Sequence, residues 1–117
     1  MSMTKSNEMA KGEHLGELEY FILLAVLACG VNAYGLPIQQ VLRSVANRAA
    51  SFGTIYATLD RMERKGLVRS ELGNATSERG GRSKRIFEVT AQGKSAIATK
   101  EQAAQKLKAW RPVLKTI

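Results

Sequence analysis

The chain has 117 residues, 44% of them hydrophobic, and a formal charge of +8 at pH 7 with a pI near 10.0. That length allows one domain with one modest core, and the composition excludes both a disordered chain and a membrane protein. The charge points to a polyanionic partner, while a single cysteine, Cys29, excludes an intrachain disulfide framework and fits a reducing cytoplasm.

Charge is unevenly spread. Residues 1–60 hold four Lys/Arg and five Asp/Glu, a balance of −1, whereas residues 61–117 hold fourteen and five, a balance of +9. The first dozen residues are polar and aperiodic and read as a flexible arm. The run Tyr20–Cys29 is unbroken apolar and ends Ala28-Cys29-Gly30, in the manner of a lipoprotein cleavage site. A secretory signal needs cations ahead of that run, and Glu13, Glu17 and Glu19 stand there instead. Ten apolar residues also fall short of the ~20 that span a bilayer. The expectation is a helix over about 15–29, buried on most sides, with acids at its positive end and Gly30 stopping it.

A second helix is expected within 34–48. Pro37 fits its first turn, and Ile38, Val41, Leu42 and Val45 recur at helical spacing as one apolar stripe. After a short connection near 47–50, Ser51 is placed to cap a third helix whose Ile55, Leu59 and Met62 face the core. Gly66 ends it, and Leu67 packs back. Two helices joined by so short a turn form a helix-turn-helix.

Two strands follow. Val68, Ser70 and Leu72 alternate with Arg69 and Glu71, and Phe87 and Val89 alternate with Ile86 and Glu88. Between them lies a turn with Arg79, Arg82, Lys84 and Arg85 around Gly80-Gly81, suited to close approach to phosphates and to their neutralisation. Thr90 caps a last helix over about 91–111, where Ile97, Ala104, Leu107 and Trp110 form a partial apolar stripe fit for dimerisation.

On the third helix Thr54, Ala57 and Arg61 fall opposite the core stripe, with Arg64 nearby. Small and hydroxylated residues followed by a cation suit a helix lying close to base edges. Tyr34 and Tyr56 flank the two helix starts, where a phenol suits a phosphate. His14 is the only histidine, and no metal-ligand set, nucleophile triad or phosphate loop is present, so no catalytic, metal or cofactor site is expected.

Taken together, Tyr34-Gly35, Gly53-Thr54-Ile55-Tyr56, Leu59, Arg61-Met62-Glu63, Gly66-Leu67, Gly81-Arg82, Lys84-Arg85, Phe87, Val89-Thr90 and Gly93 resemble the PadR family of bacterial transcriptional regulators over about residues 15–97. Ala57 and Ser83 depart from it, standing where that family usually has proline. The motif set and the resemblance imply a mainly α fold with a small β-hairpin: a winged helix-turn-helix with an additional C-terminal helix. The divisions are an arm at 1–12, a DNA-binding domain at 13–90 and a dimerisation helix and tail at 91–117. The implied function is a cytoplasmic, sequence-specific repressor that binds double-stranded DNA as a homodimer on a palindromic operator. The alternative is a winged-helix module for RNA or a protein partner. Ser51, Thr54, Tyr56 and Arg61 would read the groove, and Tyr34, Arg79, Arg82, Lys84 and Arg85 would hold the backbone. A small-molecule effector has no support in these residues.

Overall fold

The computed structural model describes residues 14–73 and 84–110. The order is α1 (Glu17–Cys29), a 3-10 turn (Gly30–Asn32), α2 (Gly35–Ala46), α3 (Phe52–Arg64), β1 (Val68–Leu72), β2 (Arg85–Val89) and α4 (Ala91–Ala109). This is a winged helix-turn-helix followed by one further helix. No described helix is long and apolar enough to cross a membrane. The expected N-terminal arm lies outside the described residues.

Helix α1 starts where Glu19 folds back to accept the Gly16 N–H at 2.9 Å, and ends at Gly30 with φ 58°. Its Ile22, Leu23, Ala25 and Val26 are buried, but Leu27 and Ala28 emerge, so the helix is sheathed on fewer sides than its unbroken apolar run suggests. Helix α2 ends on Asn47 in the left-handed region, φ 54°. Its stripe is also narrower than its spacing implies: Ile38 and Leu42 are buried, Val41 half so, and Val45 is 79% exposed. Val45 lies in the last turn of α2, beyond the reach of the helices that cover Ile38 and Leu42.

The turn into α3 is held by Gln39 Nε2, which donates to the Ala50 carbonyl at 2.9 Å. Ser51 Oγ accepts the Thr54 N–H at 3.1 Å, which satisfies a first-turn donor that has no helical partner. At the other end Gly66 turns left-handed at φ 81°, and Leu67 returns its N–H to Met62 at 2.9 Å. Leu67 thereby enters the core with Ile55, Leu59 and Met62, all 0% exposed.

Strands β1 and β2 pair antiparallel in the register Val68↔Val89 to Leu72↔Arg85. The Phe87 N–H donates to the Ala33 carbonyl at 2.8 Å, tying the hairpin to the segment between α1 and α2. Thr90 joins three elements: its hydroxyl donates to Gly66 at 2.6 Å and accepts the Gly93 N–H at 3.0 Å to cap α4. The first two turns of α4 bury Gly93, Ala96 and Ile97, and the third meets α1 and the residues just before it at the surface, where Lys100 donates to the Leu15 carbonyl at 3.4 Å and Glu101 accepts from the Tyr20 hydroxyl at 2.7 Å. From Glu101 to Trp110 every residue is exposed.

Candidate nucleic-acid interface

The surface in question is the outer face of α3 with the wing beside it. Ile55, Thr58, Leu59 and Met62 lock one side of α3 into the core. At 100° per residue the opposite midline runs through Gly53, Ala57 and Arg64, all exposed, with Thr54 and Arg61 on one flank and Asp60 on the other. Gly53 and Ala57 keep the first two turns low, so a groove floor can approach the helix backbone. Arg64 stands about two turns beyond Ala57, with no hydrogen-bond or ion-pair partner among the described residues. Sequence reasoning placed Arg64 only near that face and Gly53 only in the motif, and gave neither a role in binding. The signal that finds them is their spacing from Ala57, four residues before and seven after, on one helical face.

The other expected site residues divide by what already holds them. Thr54 is exposed, and Ser51 is both exposed and engaged as a cap. Tyr34 and Lys84 meet: the ammonium lies 4.8 Å from the ring centroid, so the first turn of α2 and the root of the wing share one exposed cation. Arg79 and Arg82 lie outside the described residues.

Three placements differ from the expectation. Tyr56 turns its hydroxyl inward to accept the Gly35 N–H at 3.2 Å, and its ring lies 6.2 Å from that of Phe87; its polar atom serves the helix-turn-helix itself. Arg85 is drawn to α3, with Nη2 2.9 Å from Asp60 and 2.7 Å from Glu63, because two carboxylates one turn apart make a stronger local attractor than solvent. Arg61 donates through Nε to Glu19 of α1 at 3.2 Å, and Lys65 joins the same carboxylate at 3.5 Å. Its remaining nitrogens stay outward, its side chain being 48% exposed.

Glu19 is the buried member of that group. Burial pushes its carboxyl up, but the Gly16 N–H and the Arg61 and Lys65 charges outweigh this and hold it below the ordinary value. Burial likewise disfavours the Arg85 charge, and the hydrogen bonds and charges of Asp60 and Glu63 reverse that and hold its pKa up. Of the dimerisation residues, Ile97 is 7% exposed and belongs to its own core, whereas Leu107 is 76% and Trp110 58% exposed and Ala104 is open.

Residues 23–99 match the model of the transcriptional regulator PadR-like family. The chain belongs to that family. PadR-like structures agree with this fold: a PadR family transcription regulator from a hypervirulent Clostridium difficile is 29% identical, with a TM-score of 0.64 over 85% of this chain and 98% of its own. A PadR-like transcriptional regulator from Bacillus cereus is 26% identical, with a TM-score of 0.63 over 86% and 89%. A PadR-like transcription factor from Bacteroides fragilis, at 24% identity and a TM-score of 0.63, shares the fold over 97% of this chain and 99% of its own. No curated protein matches the chain. In this PadR-like winged helix-turn-helix, α3 is the second helix of the helix-turn-helix and the β1–β2 hairpin is the wing. Where the family usually has proline, Ala57 continues α3 without interruption.

Proposed function

We propose that this protein represses transcription by binding a palindromic operator in duplex DNA as a homodimer. The observation that carries the reading is the outer face of α3, low at Gly53 and Ala57 and cationic at Arg64, beside a wing whose described root carries Lys84. Gly53, Thr54, Ala57 and Arg64 would face base edges. Lys84, Tyr34 and the tip cations Arg79 and Arg82 would face phosphates. The projecting half of α4, with Ala104, Leu107 and Trp110, supplies apolar area for a second copy. Two recognition helices related by a two-fold axis meet half-sites about one helical turn, ~34 Å, apart. A dimer of this kind represses by occupying promoter DNA that the polymerase needs.

Selection of bound sequences from a random duplex pool tests the reading. A palindromic motif is the expected result. Enrichment of no motif, with binding to single-stranded RNA instead, overturns it.

A further inference from the structure

A closed loop of polar bonds joins the recognition helix to both strands of the wing. Asp60 Oδ1 and Glu63 Oε1 of α3 lie 2.9 and 2.7 Å from the same atom, Nη2 of Arg85, which opens β2. Arg85 Nε donates to Ser70 Oγ of β1 at 3.1 Å. Ser70 in turn gives its backbone N–H to Glu63 Oε2 at 3.2 Å, and its hydroxyl lies 3.0 Å from that oxygen. The guanidinium carbon sits 4.8 Å over the Phe87 ring, and Phe87 is 1% exposed, so the cation is backed by the core.

Two features separate this arrangement from an ordinary surface ion pair. Asp60 and Glu63 are like charges one helical turn apart and repel unless a cation bridges them, which commits α3 to Arg85. Two carboxylates and one guanidinium also leave a net charge of −1, so Arg85 contributes no net attraction to a phosphate. Its planar fork and five fixed donors instead define an orientation.

We propose that Glu63 and Arg85 are positioning residues of the DNA-binding surface, fixing the angle between wing and recognition helix so that wing cations and α3 engage one duplex in register. The proposal rests on duplex DNA being the target.

Residual dipolar couplings on the free protein test the angle without DNA. In the wild type the β1 and β2 amides fit the alignment of α1–α3; in Glu63→Gln they are scaled down. Ser70→Ala opens the same loop with no charge change and shifts them in the same direction. Strand couplings that stay at wild-type values in both variants overturn the proposal.

Binding supplies the second readout. Glu63→Gln and Arg85→Gln each lower the preference for the selected duplex over a scrambled one about tenfold, the loss of one well-placed base contact. The double variant loses no more than either single one. Neither changes the dependence of affinity on salt. A salt slope about 0.9 lower in Arg85→Gln marks a direct phosphate contact and overturns the proposal. If the wild type binds no duplex, the functional reading fails, and the couplings still decide whether the loop of bonds fixes the angle.

Discussion

The hydroxyl of Tyr56 lies against Gly35, accepting its N–H at 3.2 Å in space that a methyl group would occupy. A Cβ on Gly35 would run into that hydroxyl and approach the ring carbons Cζ and Cε2 to 2.9 and 3.0 Å. Helix α2 therefore starts on a side chain of α3, a contact that adds to the Gln39–Ala50 bond and to the shared buried core in holding the two helices together.

Gly35→Ala is expected to destabilise the fold by about 1–3 kcal/mol, the cost of overpacking a filled site. Tyr56→Phe alone costs about 1 kcal/mol, since one hydrogen bond is lost. Combined with Gly35→Ala, it recovers part of the loss by removing the nearest clashing atom. Denaturant unfolding of the three variants checks this, and a double variant no better than Gly35→Ala contradicts it.

Glu19 makes a pH prediction. Its folded pKa is depressed, so it binds protons more weakly in the folded than in the unfolded chain, and its contribution is fully present above the ordinary value of 4.5. That contribution fades as pH falls through the depressed value. Glu19→Gln should therefore cost about 1–3 kcal/mol at pH 7, as a lost charge-assisted hydrogen bond does, and progressively less as pH falls below 4.5 and through the depressed value. Unfolding of both proteins across pH 2–7 measures the gap. A gap that stays constant into acid would show that the carboxylate charge is not what matters.

The dimer prediction follows from where α4 leaves its own core. Ile97 is buried at 7% exposure, so cutting the chain before it removes core as well as any interface. A chain ending at Lys100 keeps Ala96 and Ile97 and removes the exposed segment. It should fold and sediment as a monomer while the full chain sediments as a dimer. Leu107→Glu in the full chain should also dissociate it. A dimer that survives both changes contradicts the assignment to α4.

Element boundaries were legible where several local signals coincided. Helix α3 carried a serine cap, an apolar stripe at i, i+4 and i+7 and a terminal glycine, and its observed span follows all three. Strands β1 and β2 were legible from period-two alternation. Less legible was how far each apolar stripe is covered. Val45 and Leu27 continue their patterns into solvent because coverage depends on where the next element lies.

The site was legible as a charge pattern, less so as individual roles. Arg61 and Arg85 read as free cations, yet their carboxylate partners stand 42 and 22 residues away in the chain. No local spacing reports pairings at such separations. The signal that was present is the i, i+3 pair Asp60 and Glu63, which needs a cation between them. Arg64 follows Asp60 by four residues but makes no ion pair with it among the described residues, and it is the cation left exposed on the outer face of α3.

The division of labour between helix and wing is the central claim, and affinity against salt concentration on the selected and a scrambled duplex tests it most directly. Lys84→Ala should weaken both duplexes alike and lower the salt slope by about 0.9, as one phosphate contact is lost. Arg64→Ala should lose roughly 1–3 kcal/mol on the selected duplex alone and relax the preference at one base position. Equal losses on both duplexes for Arg64→Ala, with a lower slope, would make Arg64 a phosphate contact and contradict the reading of bases by the outer face of α3.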